Sequence, residues 1–265
     1  MTSHIEFLSA SVFDAARVVH AFTTRPGGVS EGPYASLNLT RSRGDRAEHV
    51  AENRQRVRTA LGLDYLVFAK QVHGRAVIAV EAPPMGEQVA GEADAMMTNK
   101  PGIGLVCQTA DCTPILLHDV DNGAVAAIHS GWRGTVQNII AATVEAMQAQ
   151  YGTRPSSLRA AIGPSVSAAQ YRVGPEVVEQ FEASFPGQDG ILSKRDDAGG
   201  AQLDVAAACE LQLRAAGIDP GHLIRLPHCT YSDEARFFSA RRSHHRAQSG
   251  LFGGQGGIIA LRSER

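Results

Sequence analysis

Residues 103–150 read IGLVCQTADCTPILLHDVDNGAVAAIHSGWRGTVQNIIAATVEAMQAQ, and this stretch decides the fold. It opens with three short apolar runs, Ile103–Cys107, Pro114–Leu117 and Ala124–His129. Such nearly unbroken runs predict strands covered on both faces, because a half-exposed strand alternates apolar with polar residues. The next segment, Thr135–Gln150, places Val136, Ile139, Ile140, Val144 and Met147 on one face of a helix. Buried strands followed by an amphipathic helix predict a layered α/β architecture.

The alternation continues outward. Arg17–Thr23 reads as a strand ended by the turn Arg25-Pro26-Gly27-Gly28, and Asp45–Leu61 as a helix capped by Asp45, with Val50, Val57 and Leu61 near one face. Leu66–Ala69 and Ala76–Val80 read as strands flanking Gln71-Val72-His73-Gly74. Further along come a strand at Leu158–Ile162, helices at Gly174–Phe185 and Leu203–Ala215, and strands near Leu223 and Ile258. Pro83–Gly91 and Gly187–Ala201 read as surface loops. No linker or repeat interrupts the pattern, so residues 1–265 are read as a single domain.

Composition narrows the class. With 265 residues, 43% of them hydrophobic and 20% charged, the chain can bury a full core, which excludes disorder, collagen and coiled coil. A net charge of -2 supplies no basic field, so neither nucleic acid nor an anionic membrane is an expected partner. The apolar runs fall far short of the ~20 residues of a membrane span. The first residues lack a cationic segment leading into an apolar one, and four cysteines make no disulfide framework. The expected location is the reducing cytoplasm.

Three segments place reactive side chains at strand ends: Gln71-Val72-His73-Gly74, Thr109-Ala110-Asp111-Cys112-Thr113 and Ile128-His129-Ser130-Gly131-Trp132-Arg133-Gly134. Two imidazoles and a thiolate suit zinc, and three protein ligands leave a fourth position open, as catalytic sites do. Spacing alone does not join His73, Cys112 and His129, which carry no CxxC or HExxH signature. Cys107 and Cys209 read as core residues, and Cys229 as either core or site. The turn at Gly131 leads into a helix, where free N–H groups and the Arg133 fork can hold an anion; on geometry alone a plain strand–turn–helix N-capped by Ser130 or Thr135 is the favoured reading. Arg25, Arg41 and Arg43 lie near glycine turns that can line a cleft, and Phe237-Phe238-Ser239-Ala240-Arg241-Arg242 mixes aromatics with cations.

Together with Ala93-Asp94-Ala95 and Thr113-Pro114-Ile115, these motifs resemble the laccase-domain family, also described as multicopper polyphenol oxidoreductase-like, peptidoglycan editing factor or purine nucleoside phosphorylase proteins. Ser36-Leu37-Asn38-Leu39, Glu52-Asn53-Arg54, Ile162-Gly163-Pro164, Tyr171-Arg172-Val173-Gly174, Cys229-Thr230 and Phe237-Phe238-Ser239 extend the resemblance over roughly residues 20–245. It implies an αββα sandwich with mixed sheets and one metal ion per chain, zinc ahead of copper, on His73, Cys112 and His129. It also implies phosphorolysis of adenosine, inosine, guanosine and S-methyl-5′-thioadenosine, with adenosine deamination as a second activity. Some members are described as polyphenol oxidases, and others as editing wrongly incorporated serine in cell-wall precursors. Ser165 departs from the family, which often has cysteine there, and Gln248–Gly253 replaces its usual Thr-Gly-Arg.

The oxidase reading conflicts with the residues. An oxygen-reducing copper cluster draws on closely spaced His-x-His and His-Cys-His runs; this chain has ten histidines, no His-x-His, and Thr230 after His228-Cys229. Zinc suits hydrolytic deamination, since it lowers the pKa of a bound water to about 7. Asp111 beside Cys112 can either shuttle a proton or orient the loop. Phosphorolysis instead needs an anion cradle, for which Gly131, Arg133, Arg43 and Arg241 are the candidates. Two other readings remain open: Cys112 as nucleophile beside His73 or His129 in a hydrolase, and a non-catalytic metal- or partner-binding protein.

Overall fold

The computed structural model describes residues 5–82, 89–248 and 250–263. Two six-stranded sheets form its centre. From edge to edge, the first runs Phe7–Leu8, Val18–Thr23, Gln255–Leu261, Ile103–Thr109, Tyr65–Lys70 and Val89–Glu92. The second runs Leu223–Arg225, Leu158–Ile162, Thr113–Asp119, Ala124–Ser130, Ala95–Thr98 and Val77–Ala79. Both are mixed: Tyr65–Lys70 lies parallel to Ile103–Thr109, which is antiparallel to Gln255–Leu261, and Thr113–Asp119 is antiparallel to Ala124–Ser130 while Val77–Ala79 is parallel to Ala95–Thr98.

The unbroken apolar runs follow from layering. Leu105, Cys107, Leu116, Val125, Ala127 and Ile259 meet between the sheets. Their neighbours point outward: Val106, Ile258 and Ala260 meet Val57 of helix Ala47–Leu61, while Ile115, Leu117, Ala126 and Ile128 meet Ile140, Val144 and Leu213 of helices Ile139–Tyr151 and Val205–Ala215. Every central strand is therefore covered on both faces, in the order helix, sheet, sheet, helix, which is the expected αββα arrangement.

Some local expectations change. The helix expected over Thr135–Gln150 is two helices, Trp132–Val136 and Ile139–Tyr151, broken where Asn138 turns left-handed (φ 57°) and caps the second by accepting from the Ala141 N–H. Asn tolerates that conformation, and its side chain supplies the cap. Asp45 does not cap its helix, which has Arg46 at the N-cap; its Oδ2 instead accepts from Ser30 Oγ and Asn38 Nδ2. Part of Gly187–Ala201 is ordered as strand Leu192–Ser193, paired with Ala201–Leu203 beside Arg172–Val173 and anchored by buried Ile191. The expected loop Pro83–Gly91 falls mostly on residues 83–88, outside the described residues, and its end joins strand Val89–Glu92. No helix among the described residues is long and apolar enough to cross a membrane.

Candidate metal centre and cavity

Chain topology brings the three proposed ligands to one end of both sheets. His73 lies in the loop leaving Tyr65–Lys70 of the first sheet for Val77–Ala79 of the second. Cys112 lies where the chain crosses from Ile103–Thr109 to Thr113–Asp119, again passing between sheets. His129 stands near the end of Ala124–Ser130, opposite Pro114. One ligand atom from each lies within 4.8 Å of the others, and Cys112 Sγ is 4.0 Å from His73 Nε2. Two histidines and one cysteine at this spacing form a donor set that fits a metal ion. A β-carbon at Gly131 would stand 3.0 Å from His73 Cδ2 and 3.1 Å from Cys112 Sγ, so a side chain there would require the cluster to give by a few tenths of an ångström.

Asp94 organises two of the candidate ligands. Its Oδ1 accepts from His129 Nδ1 at 2.8 Å and from the His73 N–H at 3.0 Å, and its Oδ2 accepts from the N–H groups of Gly74 at 2.7 Å and Val72 at 3.2 Å. The His129 ring is thereby oriented with Nε2 left for a ligand, and the loop is held while His73 adopts φ 60°. Gln71 fixes the other flank by exchanging hydrogen bonds with the Gln108 backbone at 2.7 and 2.8 Å.

A second carboxylate sets the Cys112 loop. Asp111 (φ 96°) is buried, accepting from Thr230 Oγ1 at 2.7 Å on Oδ1, and from Ser239 Oγ at 2.9 Å and the Arg241 N–H at 2.7 Å on Oδ2. Its backbone oxygen accepts from the Val166 N–H.

The charges in the cluster are coupled. Burial raises the Cys112 thiol, yet the nearby His129 and His73 outweigh it and hold the thiol down to about 6. Burial likewise lowers the His129 imidazole, while the Cys112 thiolate and Asp94 lift it to about 9. Desolvation raises the Asp94 carboxyl, but its hydrogen bonds from His129 and the Gly74 N–H keep it below the ordinary carboxylate range. Cys107 and Cys209, by contrast, are buried thiols pushed up to about 12 and about 11. All four cysteines are free. Cys229 is half-buried and accepts from the Ser167 N–H and Oγ, outside the cluster.

The cluster opens on a cavity of about 540 Å³. Of the expected anion-binding residues, Arg43 lines it. Gly131 packs against the cluster, and Arg133 stacks on its neighbour Trp132, 4.4 Å from the ring. Arg241 lies over Tyr171 at 4.8 Å, while Ala240 beside it lines the cavity. Two contributors went unassigned in the sequence reading. Both stand in motifs that carry the family resemblance, Ala93-Asp94-Ala95 and Glu52-Asn53-Arg54, but residue type alone gives neither a role; Arg54 packs over Phe68 at 3.7 Å in the cavity wall.

The family described as multi-copper polyphenol oxidoreductase laccase matches residues 19–262. A purine nucleoside phosphorylase of Deinococcus radiodurans is 44% identical over 227 residues, 85% of this chain and 84% of that protein. Adenosine deaminase RL5, from an unknown prokaryotic organism, is 37% identical over 233 residues, covering 84% and 88%. The crystal structure of YlmD from Geobacillus stearothermophilus superposes with a TM-score of 0.88 at 32% identity, covering 96% of this chain and 94% of that one. Architecture, donor set and sequence agree, and the chain belongs to the laccase-like multi-copper polyphenol oxidoreductase family.

Proposed function

We propose that this chain is a zinc-dependent purine nucleoside phosphorylase acting on adenosine, inosine, guanosine and S-methyl-5′-thioadenosine, with adenosine deamination as a second activity, in the cytoplasm. The observation that carries this reading is the cavity itself. The His73–Cys112–His129 cluster shares it with the cationic side chains of Arg41, Arg43, Arg54 and Lys70. Its size is that of a small-molecule site. The names of the two relatives supply the two reactions.

In this reading His73, Cys112 and His129 hold the ion, Asp94 orients His129, and Asp111 orients the Cys112 loop. The ion, when bound, supplies Lewis acidity and a means of activating water at neutral pH. In phosphorolysis a phosphate oxygen bonds to ribose C1′ as the C1′–N9 bond breaks. The bonding pair leaves with the purine, which takes the proton that hydrogen phosphate gives up. In deamination water adds its oxygen at C6 and ammonia departs. Laccase chemistry is disfavoured, because His73, Cys112 and His129 are the one ligand cluster of this kind among the described residues.

A second reading rests on the 4.0 Å approach of Cys112 Sγ to His73 Nε2, which suits a cysteine–histidine hydrolase editing serine in peptidoglycan precursors. One experiment separates the two: metal analysis of the purified protein, paired with product analysis on adenosine, inosine and methylthioadenosine, with and without phosphate. Free base and ribose 1-phosphate, with zinc bound and both lost in His73→Ala, support the phosphorylase. Turnover that survives metal removal and dies on alkylation of Cys112 supports the hydrolase.

A further inference from the structure

A second cavity, of about 450 Å³, shares Phe252 in its wall with the metal-cluster cavity, and none of His73, Cys112 and His129 lines it. Its polar wall is three arginines gathered on one acid. Arg246 takes both oxygens of Glu234, at 2.6 and 2.8 Å. Arg25 Nη1 and Arg242 Nε stand 3.8 Å from the same carboxylate. Their closer partners are neutral. Arg25 donates to the Ala35 and Glu234 carbonyls, and Arg242 to those of Thr230, Tyr231 and Phe237. Carbonyls satisfy N–H groups but cancel no formal charge. Among the described residues lining this cavity, three guanidinium groups therefore meet one carboxylate, a surplus of two positive charges.

The arginines register that surplus. Burial lowers the Arg25 guanidinium, Glu234 lifts it and Arg246 lowers it again, so that it lies below the ordinary arginine value. Arg242 is lowered too, by burial first, with Arg25 and Arg246 working against Glu234 and Asp111. Asp111 reaches Arg242 only through its field, since its oxygens are taken by Thr230, Ser239 and the Arg241 N–H.

The facing wall is apolar. Leu251 is 49% exposed at the cavity, next to Phe252. Ser243 Oγ donates to the Gln248 and Leu251 carbonyls and so holds this stretch in place. Arg25 is steadied in turn by the Phe238 ring, 5.2 Å away. A ligand that suits both walls carries a doubly charged head and a small apolar body. A phosphate monoester is such a molecule, and guanidinium forks match its oxygens.

We propose that this cavity is a second binding site, for a small organic phosphate monoester, with its head among Arg25, Arg242 and Arg246 and its apolar body against Leu251 and Phe252. The site is separate from the metal cluster and stands whether or not the phosphorylase reading holds.

The test is isothermal titration calorimetry of phenyl phosphate into the zinc-loaded protein, with inorganic phosphate and benzoate as comparison probes. Phenyl phosphate is expected to bind more tightly than inorganic phosphate, which lacks the apolar body, and than benzoate, which carries a single charge. Arg246→Ala should weaken its binding about tenfold or more, whereas Glu234→Gln, which releases the Arg246 fork, should tighten it several-fold. Leu251→Ala should weaken phenyl phosphate about threefold and leave inorganic phosphate unchanged. His73→Ala, which breaks the metal cluster, should leave all of this in place.

No binding of phenyl phosphate to wild type overturns the site, and so does binding lost in His73→Ala, which would put the anion at the metal. Affinity that Arg246→Ala leaves unchanged overturns it as well. If Arg246→Ala and Glu234→Gln both weaken binding, the pair merely braces its loop and the site again fails. Benzoate or inorganic phosphate binding as tightly as phenyl phosphate, or an unchanged affinity in Leu251→Ala, overturns the monoester assignment. Melting curves recorded alongside show that each variant is folded; should Glu234→Gln not fold, the other three variants still decide.

Discussion

The carboxylate of Asp94 and the imidazole of His129 are joined by a 2.8 Å hydrogen bond, and the three N–H groups of Val72, His73 and Gly74 converge on the same carboxylate. One buried acid thus sets the geometry of both histidines. An amide in its place keeps one acceptor oxygen for four donors and turns an N–H toward the His129 ring or the loop. Asp94→Asn is expected to bind zinc about 10- to 100-fold more weakly, read by competition with a chromogenic chelator, while circular dichroism stays native. Unchanged affinity would show that the loop positions His73 without help.

The depressed Cys112 thiol gives a chemical signature. In metal-free protein its alkylation rate should climb through a pH of about 6, well below the ~8.5 of an ordinary cysteine. Cys107 and Cys209, buried and shifted upward, should stay unmodified over the same range. Peptide mass spectrometry after iodoacetamide pulses resolves the sites, and zinc should protect Cys112.

Gly131 faces the candidate ligands His73 and Cys112 at contact distance. Gly131→Ala is expected to weaken metal retention, because the added methyl meets His73 Cδ2 and Cys112 Sγ near 3 Å and displaces them by a few tenths of an ångström. Elemental analysis of the variant, set beside its melting curve, distinguishes a blocked site from a lost fold.

Asp111 has both oxygens engaged by Thr230, Ser239 and Arg241. Asp111→Asn forces an N–H toward one of these donors, and a loss of about 2–4 kcal/mol follows from the buried charge-assisted bonds it breaks. If the residue only orients the loop, the surviving activity keeps the wild-type shape of its pH–rate profile. A missing limb in that profile would restore it as a proton shuttle.

His118 supplies the acid sensitivity. Burial, with Arg17 nearby, lowers its imidazole from 6.5 to about 4, and its Nδ1 is buried without a partner. Between those two values the unfolded chain is protonated at His118 and the folded chain is not. Its contribution is therefore full above about pH 6.5 and is lost progressively as pH falls toward about 4. Urea titrations across that window should show a shallower pH slope in His118→Gln than in wild type.

The fold was legible where burial was symmetrical. Ile103–Cys107, Pro114–Leu117 and Ala124–His129 announced themselves because helices and the opposing sheet cover both of their faces. The helix break at Asn138 was hidden, since Val136 and Ile139 continue the apolar pattern straight across it. Strand Ala95–Thr98 was missed for its brevity, although it pairs with Ala124–Ser130 beside His129. In the site, His73, Cys112 and His129 were singled out by residue type and by family motif, but their convergence is a property of two sheets that no local spacing encodes. The partnership of Asp94 with His129 spans 35 positions and is equally invisible along the chain.

The donors come from both sheets: His73 follows a strand of the first, His129 stands on a strand of the second, and Cys112 occupies the crossing between them. Any ion held there acts as a clasp across the seam of the sandwich. It would be released whenever the layers part, and so would bind the folded state almost exclusively. Thermal unfolding of the loaded protein should then shift with free zinc concentration, and chelation should loosen the seam before it touches the outer helices.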